Sequence, residues 1–448
     1  MEGAAALRLA GARRYDDCMT ADADAPRHSR SALSYPNYRR YWVSAVMRVF
    51  GFQFQFIGLG WLVAVELDRS PFWLGTVWLA NAIPTILLSL PGGSLADRSN
   101  PYKLMVGSQF LMVTGHTALA VLILSGLIEM WMIIGWAVGN GVLWAVAAPA
   151  MNTLLPRLIE PPAMASAVAL ISGIWSALRI VGPASAGVLI ALVGTGHAFS
   201  VCAAVNGLAF VVMLMIRVAP RDPNEQRDEH EAGVMPGLRF VFGHPVFLAT
   251  IGLSFFTSVF GTSYVILLPI FADELLEVGS EGFGFMEAVA GIGSLAGTWW
   301  VIRYGLGRRP GVLMLASAAV FGVLIAMFAA TDHLAPASVL LLVSGFAAEV
   351  YLIIGMTVVQ LLVPDGLRGR VMGIWSMTYF LASVGGFIAG FAAEFVGVRI
   401  TIAAGALSVT AFAIAVYLAS AELRRLRGDD VTPTPEPAEA APEGAAAS

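Results

Sequence analysis

Four ionisable side chains stand inside otherwise apolar stretches of this chain: Arg48, Arg179, Glu287 and Glu349. A charge at mid-depth in a membrane costs at least about 3 kcal/mol on insertion scales, so such residues face water or a partner and mark function by default. A buried carboxylate can take up and release a proton. Glu349 is the best candidate for a carboxylate that couples proton movement to another event. The competing readings are a structural hydrogen-bonded pair for Glu349 and snorkelling to the membrane surface for Arg48. Gln53 and Gln55 are two residues apart, so they cannot share a helical face and at most one points inward. Asn140, Trp144, Tyr264 and Tyr351 add polar and aromatic surface of the kind that suits an amphipathic organic ligand, although helix packing is an equally direct use for each. His116 is expected to be a packed or hydrogen-bonded side chain. There is no GxxxxGK[ST] phosphate loop, no CxxC and no HExxH pattern, and no nucleophile–base pair. Enzyme chemistry, metal binding and cofactors are therefore not expected, and work must draw on an ion or solute gradient.

The elements that carry these residues follow from composition. Of 448 residues, 58% are hydrophobic and only 12% charged, about half the 25% usual in soluble domains. Mean hydropathy is +0.77. Such a chain could not cover a water-soluble surface. Two cysteines exclude a disulfide framework, and a net charge of −4 gives no footprint for nucleic acid. A spanning helix needs about 20 apolar residues, and twelve such segments can be traced. The expected organisation is a tail over 1–40, six helices over 41–219, a charged Pro/Gly-interrupted loop over 220–245, six more helices over 246–422, and a tail over 423–448 whose Pro/Ala/Glu-rich end should be disordered. Of the 26 Lys and Arg, 22 fall on one side of this arrangement and only Arg69 and Arg399 on the other. The positive-inside rule then puts both tails and the central loop in the cytoplasm. The opposite loops carry Glu66, Asp68, Asp273, Glu274, Glu277, Glu281 and Asp332.

The two halves repeat weakly at an offset of roughly 205 residues. GGSLADRSNPYK (92–103) corresponds to GTWWVIRYGLGR (297–308), NTLLP (152–156) to QLLVP (360–364), and IVGPASAG (180–187) to SVGGFIAG (383–390). Both halves run from the cytoplasm back to it, so the repeat is parallel. Parallel six-helix repeats about an axis normal to the membrane are a known transporter architecture.

These pieces resemble the major facilitator superfamily over nearly all of residues 35–425. GGSLADR followed by Lys103 is similar to the loop signature after the superfamily's second span. YPNYRRYWVS (35–44), LLPRLIEPPAMASAVAL (154–170), RIVGPASAG (179–187) and VQLLVPDGLRGRVMGIW (359–375) resemble its enterobactin-exporter and macrolide-efflux branch. The resemblance implies an all-α fold of twelve transmembrane helices in two pseudo-symmetric six-helix bundles. It also implies a conformational latch at Gly93, Asp97, Arg98 and Lys103. A span-five hinge at Arg179, Gly182, Pro183 and Gly187 is similar to an antiporter motif, with one following glycine where that motif has two. Because spans one, four, seven and ten line the superfamily's cavity, Arg48, Gln53, Asn140, Tyr264 and Glu349 become cavity and coupling candidates. Ala137 occupies the place of the arginine common in proton antiporters, so coupling through that residue is not expected. The function implied is a secondary active transporter of the plasma (inner) membrane, a proton-driven exporter of an amphipathic small molecule such as a siderophore or drug. The alternatives are an uptake symporter for a metabolite and a non-transporting sensor on the same fold. The expected partners are a small-molecule substrate, protons and the bilayer, with no nucleic acid and no cofactor, and the protein is expected to work as a monomer.

Overall fold

The structure, a computed structural model, describes residues 31–218 and 235–428. The N-terminal tail before Ser31, most of the predicted central loop and the C-terminal tail after Gly428 lie outside the described residues. Among those described, helices carry the fold and no strand occurs, as expected where lipid offers no partner to backbone N–H and C=O groups. Twelve helices are long and apolar enough to cross a membrane. In the first half they are α1 (Pro36–Glu66), α2 (Pro71–Arg98), α3 (Pro101–Leu124), α4 (Met130–Leu154), α5 (Met164–Val193) and α6 (Thr195–Leu214). In the second they are α7 (Pro245–Leu275), α8 (Gly279–Tyr304), α9 (Pro310–Ala329), α10 (Leu334–Leu362), α11 (Asp365–Val396) and α12 (Val398–Ala419).

Local chemistry sets several of these boundaries. Pro36, Pro71, Pro101, Pro245 and Pro310 each open a helix, where a missing N–H costs nothing. Consequently α1 starts five residues ahead of the hydropathy boundary at 41, and Tyr38 and Tyr41 are already buried. Gly194 and Gly397 turn α5 into α6 and α11 into α12 at φ of 85° and 82°, a left-handed conformation that suits glycine. The repeat reaches even the two non-glycine residues with positive φ, Asp68 and Glu277, which sit in the turns after α1 and after α7. Both of those helices end in a π-helical turn, Leu62–Glu66 and Phe271–Leu275. A further π-helical turn, Thr257–Gly261, interrupts α7 midway.

Each half packs by the same plan. In the first, α2 lies on α4, α3 on α4 and α6, and α1 on α5 and α6; in the second, α8 lies on α10, and α9 on α10 and α12. The halves meet through α2 with α11 and α5 with α8. The chain direction gives the bundle a basic end, where the predicted cytoplasmic Lys and Arg gather, and an acidic end.

The closest inter-half contacts are made on backbone. A Cβ at Gly187 would lie 2.4 Å from the Ser280 carbonyl, and one at Gly284 2.4 Å from the Pro183 carbonyl. The other seam repeats this: Gly390 against the Pro71 carbonyl at 2.4 Å, and Gly75 against the Gly386 carbonyl at 2.6 Å. Four small-residue pairs at a spacing of four thus let two helix pairs approach as closely as backbones can. The Ser280 hydroxyl donates to the Gly187 carbonyl at 3.0 Å, and the Ser70 hydroxyl donates to the Glu394 carboxylate. All of these contacts lie in the acidic half of the bundle. Toward the basic end the seams part: Cβ positions at Gly93, Gly173, Gly366, Gly369 and Gly373 meet nothing within 4 Å, and Leu87 and Leu95 are exposed. The molecule is closed at its acidic end and open at its basic end.

Overpacking of this sort costs about 1–3 kcal/mol. Gly75→Ala is therefore expected to lower the melting temperature of the purified protein, whereas Gly107→Ala, with no atom within 4 Å of its Cβ position, leaves it unchanged or slightly raised; equal melting temperatures would contradict the close seam.

Candidate transport cavity

Where the two halves diverge, a cavity of about 450 Å³ opens between them. Phe52, Gln53 and Phe56 of α1 and Trp175, Arg179 and Pro183 of α5 form one wall. Tyr264 of α7, Glu349 of α10 and a stripe on α8 form the other. That stripe, Glu287, Gly291, Ser294 and Thr298, follows the i, i+4, i+7, i+11 spacing of a single helical face. The aromatic rings supply area for an apolar ligand, and a small set of polar groups fixes orientation, which is the usual composition of an organic ligand site.

The charges of the cavity form one group. Arg179 Nη1 stands 3.8 Å from Glu349 Oε2, so the ion pair bridges α5 of the first half and α10 of the second. The Arg179 side chain is 60% exposed to the cavity and that of Glu349 20%. Thr298 lies beside the Glu349 carboxylate. Glu287 is the third member: its Oε1 is buried without a hydrogen-bond partner, and Arg179 is the charge acting on it. One cation therefore serves two carboxylates, and it cannot neutralise both at once.

Pro183 explains how α5 presents this arginine. Its ring nitrogen has no proton to donate to the carbonyl four residues back, which is that of Arg179. The carbonyl so released faces α8, where a Cβ on Gly291 would lie 3.0 Å away. Gly182 in turn lets α1 in, its own Cβ position lying 2.5 Å from the Gln53 Cβ. Gln53 Nε2 donates to the Leu178 carbonyl at 3.3 Å. Arg179, Gly182, Pro183 and Gly187 thus all sit on the surface by which α5 meets α1 and α8.

The remaining candidates are distributed differently. Tyr264 lines the cavity within electrostatic reach of Glu287 and Arg179. Arg48 and Asn140 do not line it; they line a smaller pocket inside the first half, together with Trp144, Gln55 and His116. Gln53 and Gln55 accordingly point to different cavities. Tyr351 is buried in the packing of the second half. Gly93 stands at the open basic end, and Lys103 there starts α3 with its N–H donating to the Asn100 side chain at 3.4 Å. The side chains of Asp97 and Arg98 lie outside the described residues. With α8 beginning at Gly279, Glu287 lies eight residues in, about 12 Å at 1.5 Å per residue, which is deep enough to join the cavity. Trp175 and Thr298 also belong to the site; the Glu287-to-Thr298 periodicity was the available signal for the latter.

A family model described as "Transmembrane secretion effector", of the major facilitator superfamily, matches residues 28–441. The chain belongs to this family and is a major facilitator superfamily transporter. Among individual proteins it is similar to the staphyloferrin A transporter of Staphylococcus aureus, 28% identical over 254 residues. That match takes in 54% of this chain and 61% of the relative, under two thirds of the relative's length. It is also similar to the enterobactin exporter EntS of Shigella boydii serotype 18, 23% identical over 341 residues, covering 75% and 80% of the two chains. In fold it matches a bacterial homologue of the human lysosomal transporter Spinster in an inward-facing, unoccupied conformation, with a TM-score of 0.66, 17% identity, and coverage of 86% and 98%. The nucleoside transporter NupG matches with a TM-score of 0.64, 16% identity, and coverage of 86% and 98%.

The two members of the pair across the halves are not independent. Arg179→Glu and Glu349→Arg should each lower the melting temperature, and the double exchange should recover part of the loss, with a coupling of about 0.5–3 kcal/mol; additive losses would show that the two side chains do not interact.

Proposed function

We propose that this transporter exports an amphipathic organic molecule, of the siderophore or drug kind, in exchange for protons. The observation that carries the reading is the Arg179–Glu349 pair spanning the two halves inside an aromatic cavity, with Glu287 as a second carboxylate awaiting the same cation. A proton on either carboxylate releases Arg179 to the other, so protonation and the relative position of the halves are linked. Such linkage is what alternating access about a central site requires.

The basic end is the cytoplasmic one in this reading, by the charge asymmetry of the loops. The closed acidic seam and open basic end then correspond to a state facing the cytoplasm, ready to load cargo. The inner membrane, both termini in the cytoplasm, the halves at 41–219 and 246–422, and a monomeric unit belong to the same proposal. Outward direction is supported by the family description and by the relative named as an enterobactin exporter. In the return state the basic end closes, and Gly93, Asp97, Arg98 and Lys103 are the proposed latch residues. Arg179, Gly182, Pro183 and Gly187 form the surface on which α5 rolls over α8. Gln53 and Tyr264 complete the cargo site.

The test is accumulation of a panel of fluorescent amphipathic compounds in cells expressing wild type or Glu349→Gln, with a protonophore added midway. Lower accumulation with wild type, reversed by the protonophore and absent in Glu349→Gln, is the expected result. Equal export by both proteins removes Glu349 from coupling, and export that ignores the protonophore removes the proton. A second expectation concerns the latch: Gly93→Leu, at an uncrowded position in the open state, should leave the melting temperature near that of wild type while slowing export severalfold. A large stability loss would show instead that Gly93 packs in this state.

A further inference from the structure

The pocket inside the first half is separate from the transport cavity and is not used by the cycle proposed above. It has a volume of about 70 Å³ and lies among α1, α3, α4, α5 and α6. At roughly 10–15 Å³ per water-sized probe this is room for several waters or one small organic group. Phe52 and Trp175 line both spaces and form the partition between them, their rings in edge contact at 5.8 Å.

Arg48 lines this pocket twelve residues into α1, about 18 Å from the start of the helix. Its Nε is buried without a hydrogen-bond partner. Its Nη1 reaches only the Met151 sulfur, at 3.3 Å, a weak acceptor, and its Cζ lies 5.8 Å from the centroid of the Tyr41 ring. Among the described residues no carboxylate stands within 4 Å of it. A guanidinium in this setting keeps most of its donors free in an environment that strengthens any charge pairing. The other polar side chains of the pocket are largely spoken for: His116 Nε2 is 3.0 Å from Gln55 Oε1, and Gln109 Nε2 donates to Asn206 Oδ1 at 3.2 Å. The rest of the lining is apolar and adaptable, with Met105, Met112 and Met151 among it.

We propose that this pocket binds the carboxylate end of a small organic anion, the carboxylate paired with the Arg48 fork and an apolar body lying along the methionines toward Trp144. The chemistry of the walls selects both parts: a free guanidinium for a planar anion, and apolar surface for a ring or short chain. The site is independent of transport direction and of the coupling ion. Because Phe52 and Trp175 are shared with the transport cavity, its occupancy is felt at the cargo site through those two rings.

Benzoate is the probe, with benzamide as its uncharged counterpart, and binding to the purified full-length protein is measured by equilibrium dialysis. The expected result is one benzoate per chain, at least tenfold weaker binding of benzamide, and at least tenfold weaker benzoate binding by Arg48→Gln. Arg48→Lys, which keeps the charge without the fork, should fall between. Ala147→Phe should abolish binding by filling the pocket while leaving Arg48 in place, which keeps the proposal testable should Arg48→Gln fail to fold. No saturable benzoate binding by wild type, equal binding of benzamide, or unchanged binding by Ala147→Phe overturns it. Loss of benzoate binding in Arg179→Gln with retention in Arg48→Gln also overturns it, since the anion would then sit in the transport cavity.

Discussion

One guanidinium shared between two carboxylates is the constraint on which this structure turns. In water three such charges would be screened and indifferent to one another. In a cavity walled by Phe52, Phe56, Trp175 and Tyr264 they are not, because the low dielectric raises the energy of any unpaired charge. Arg179 belongs to the first half and both carboxylates to the second. The electrostatic balance of the cavity is therefore a function of how the halves are placed, and under the proposed mechanism the placement of the halves responds in turn to which carboxylate is charged. The proposed exchange of protons for cargo requires nothing more elaborate than this mutual dependence.

The scaffold around that group is two-fold, but the group is not. Gly187 and Gly390 occupy equivalent places in the two seams, so the counterpart of Arg179, eight residues back on α11, is Ala382. Gly141 and Gly345 press on the carbonyls of Asn81 and Ala290; matched by these contacts, α4 and α10 align about one helical turn away from the sequence match of NTLLP with QLLVP, and Ala145 stands where Glu349 stands. The two-fold counterparts of Arg179 and Glu349 thus carry no charge. The only mid-span cation left over in the first half, Arg48, turns away from the centre into its own pocket. Duplication thus accounts for the moving parts, and divergence between the halves for the Arg179–Glu349 pair.

Much of this was legible in the sequence, and for identifiable reasons. Hydropathy reveals spanning helices because lipid tolerates no other use for long apolar runs, and the repeat was visible because backbone contact leaves few residues acceptable at Gly182, Gly187, Gly385 and Gly390. What hydropathy could not supply was azimuth. Arg48 and Glu349 are equally buried charges by sequence, yet one faces the interior of its own half and the other the opposite half. The separation of Gln53 from Gln55 followed from helical spacing, but not which of them faced the cavity. Hydropathy also hides the start of α8 at Gly279, which lies in a turn rich in acidic residues that reads as loop. The early start of α1 escaped for the same reason, its first turn being polar at the level of composition while Tyr38 and Tyr41 pack inward.

The seam at the acidic end has a further property that comes from its closest contacts being main chain. A gate built only from interlocking leucines or aromatics can breathe, since each rotamer can swing aside alone and admit a water. Rings do meet across this seam, Phe72 with Phe387 and Phe391, but where Gly187 lies on the Ser280 carbonyl and Gly75 on the Gly386 carbonyl there is no rotamer to swing. The seam parts only when whole helices move, so it is shut or open with little between. A membrane holding 100 mV places about 2.3 kcal/mol on every proton that can slip through. In the proposed exchange of protons for cargo, a seam closed at its nearest points by main chain keeps that energy from draining away between turnovers.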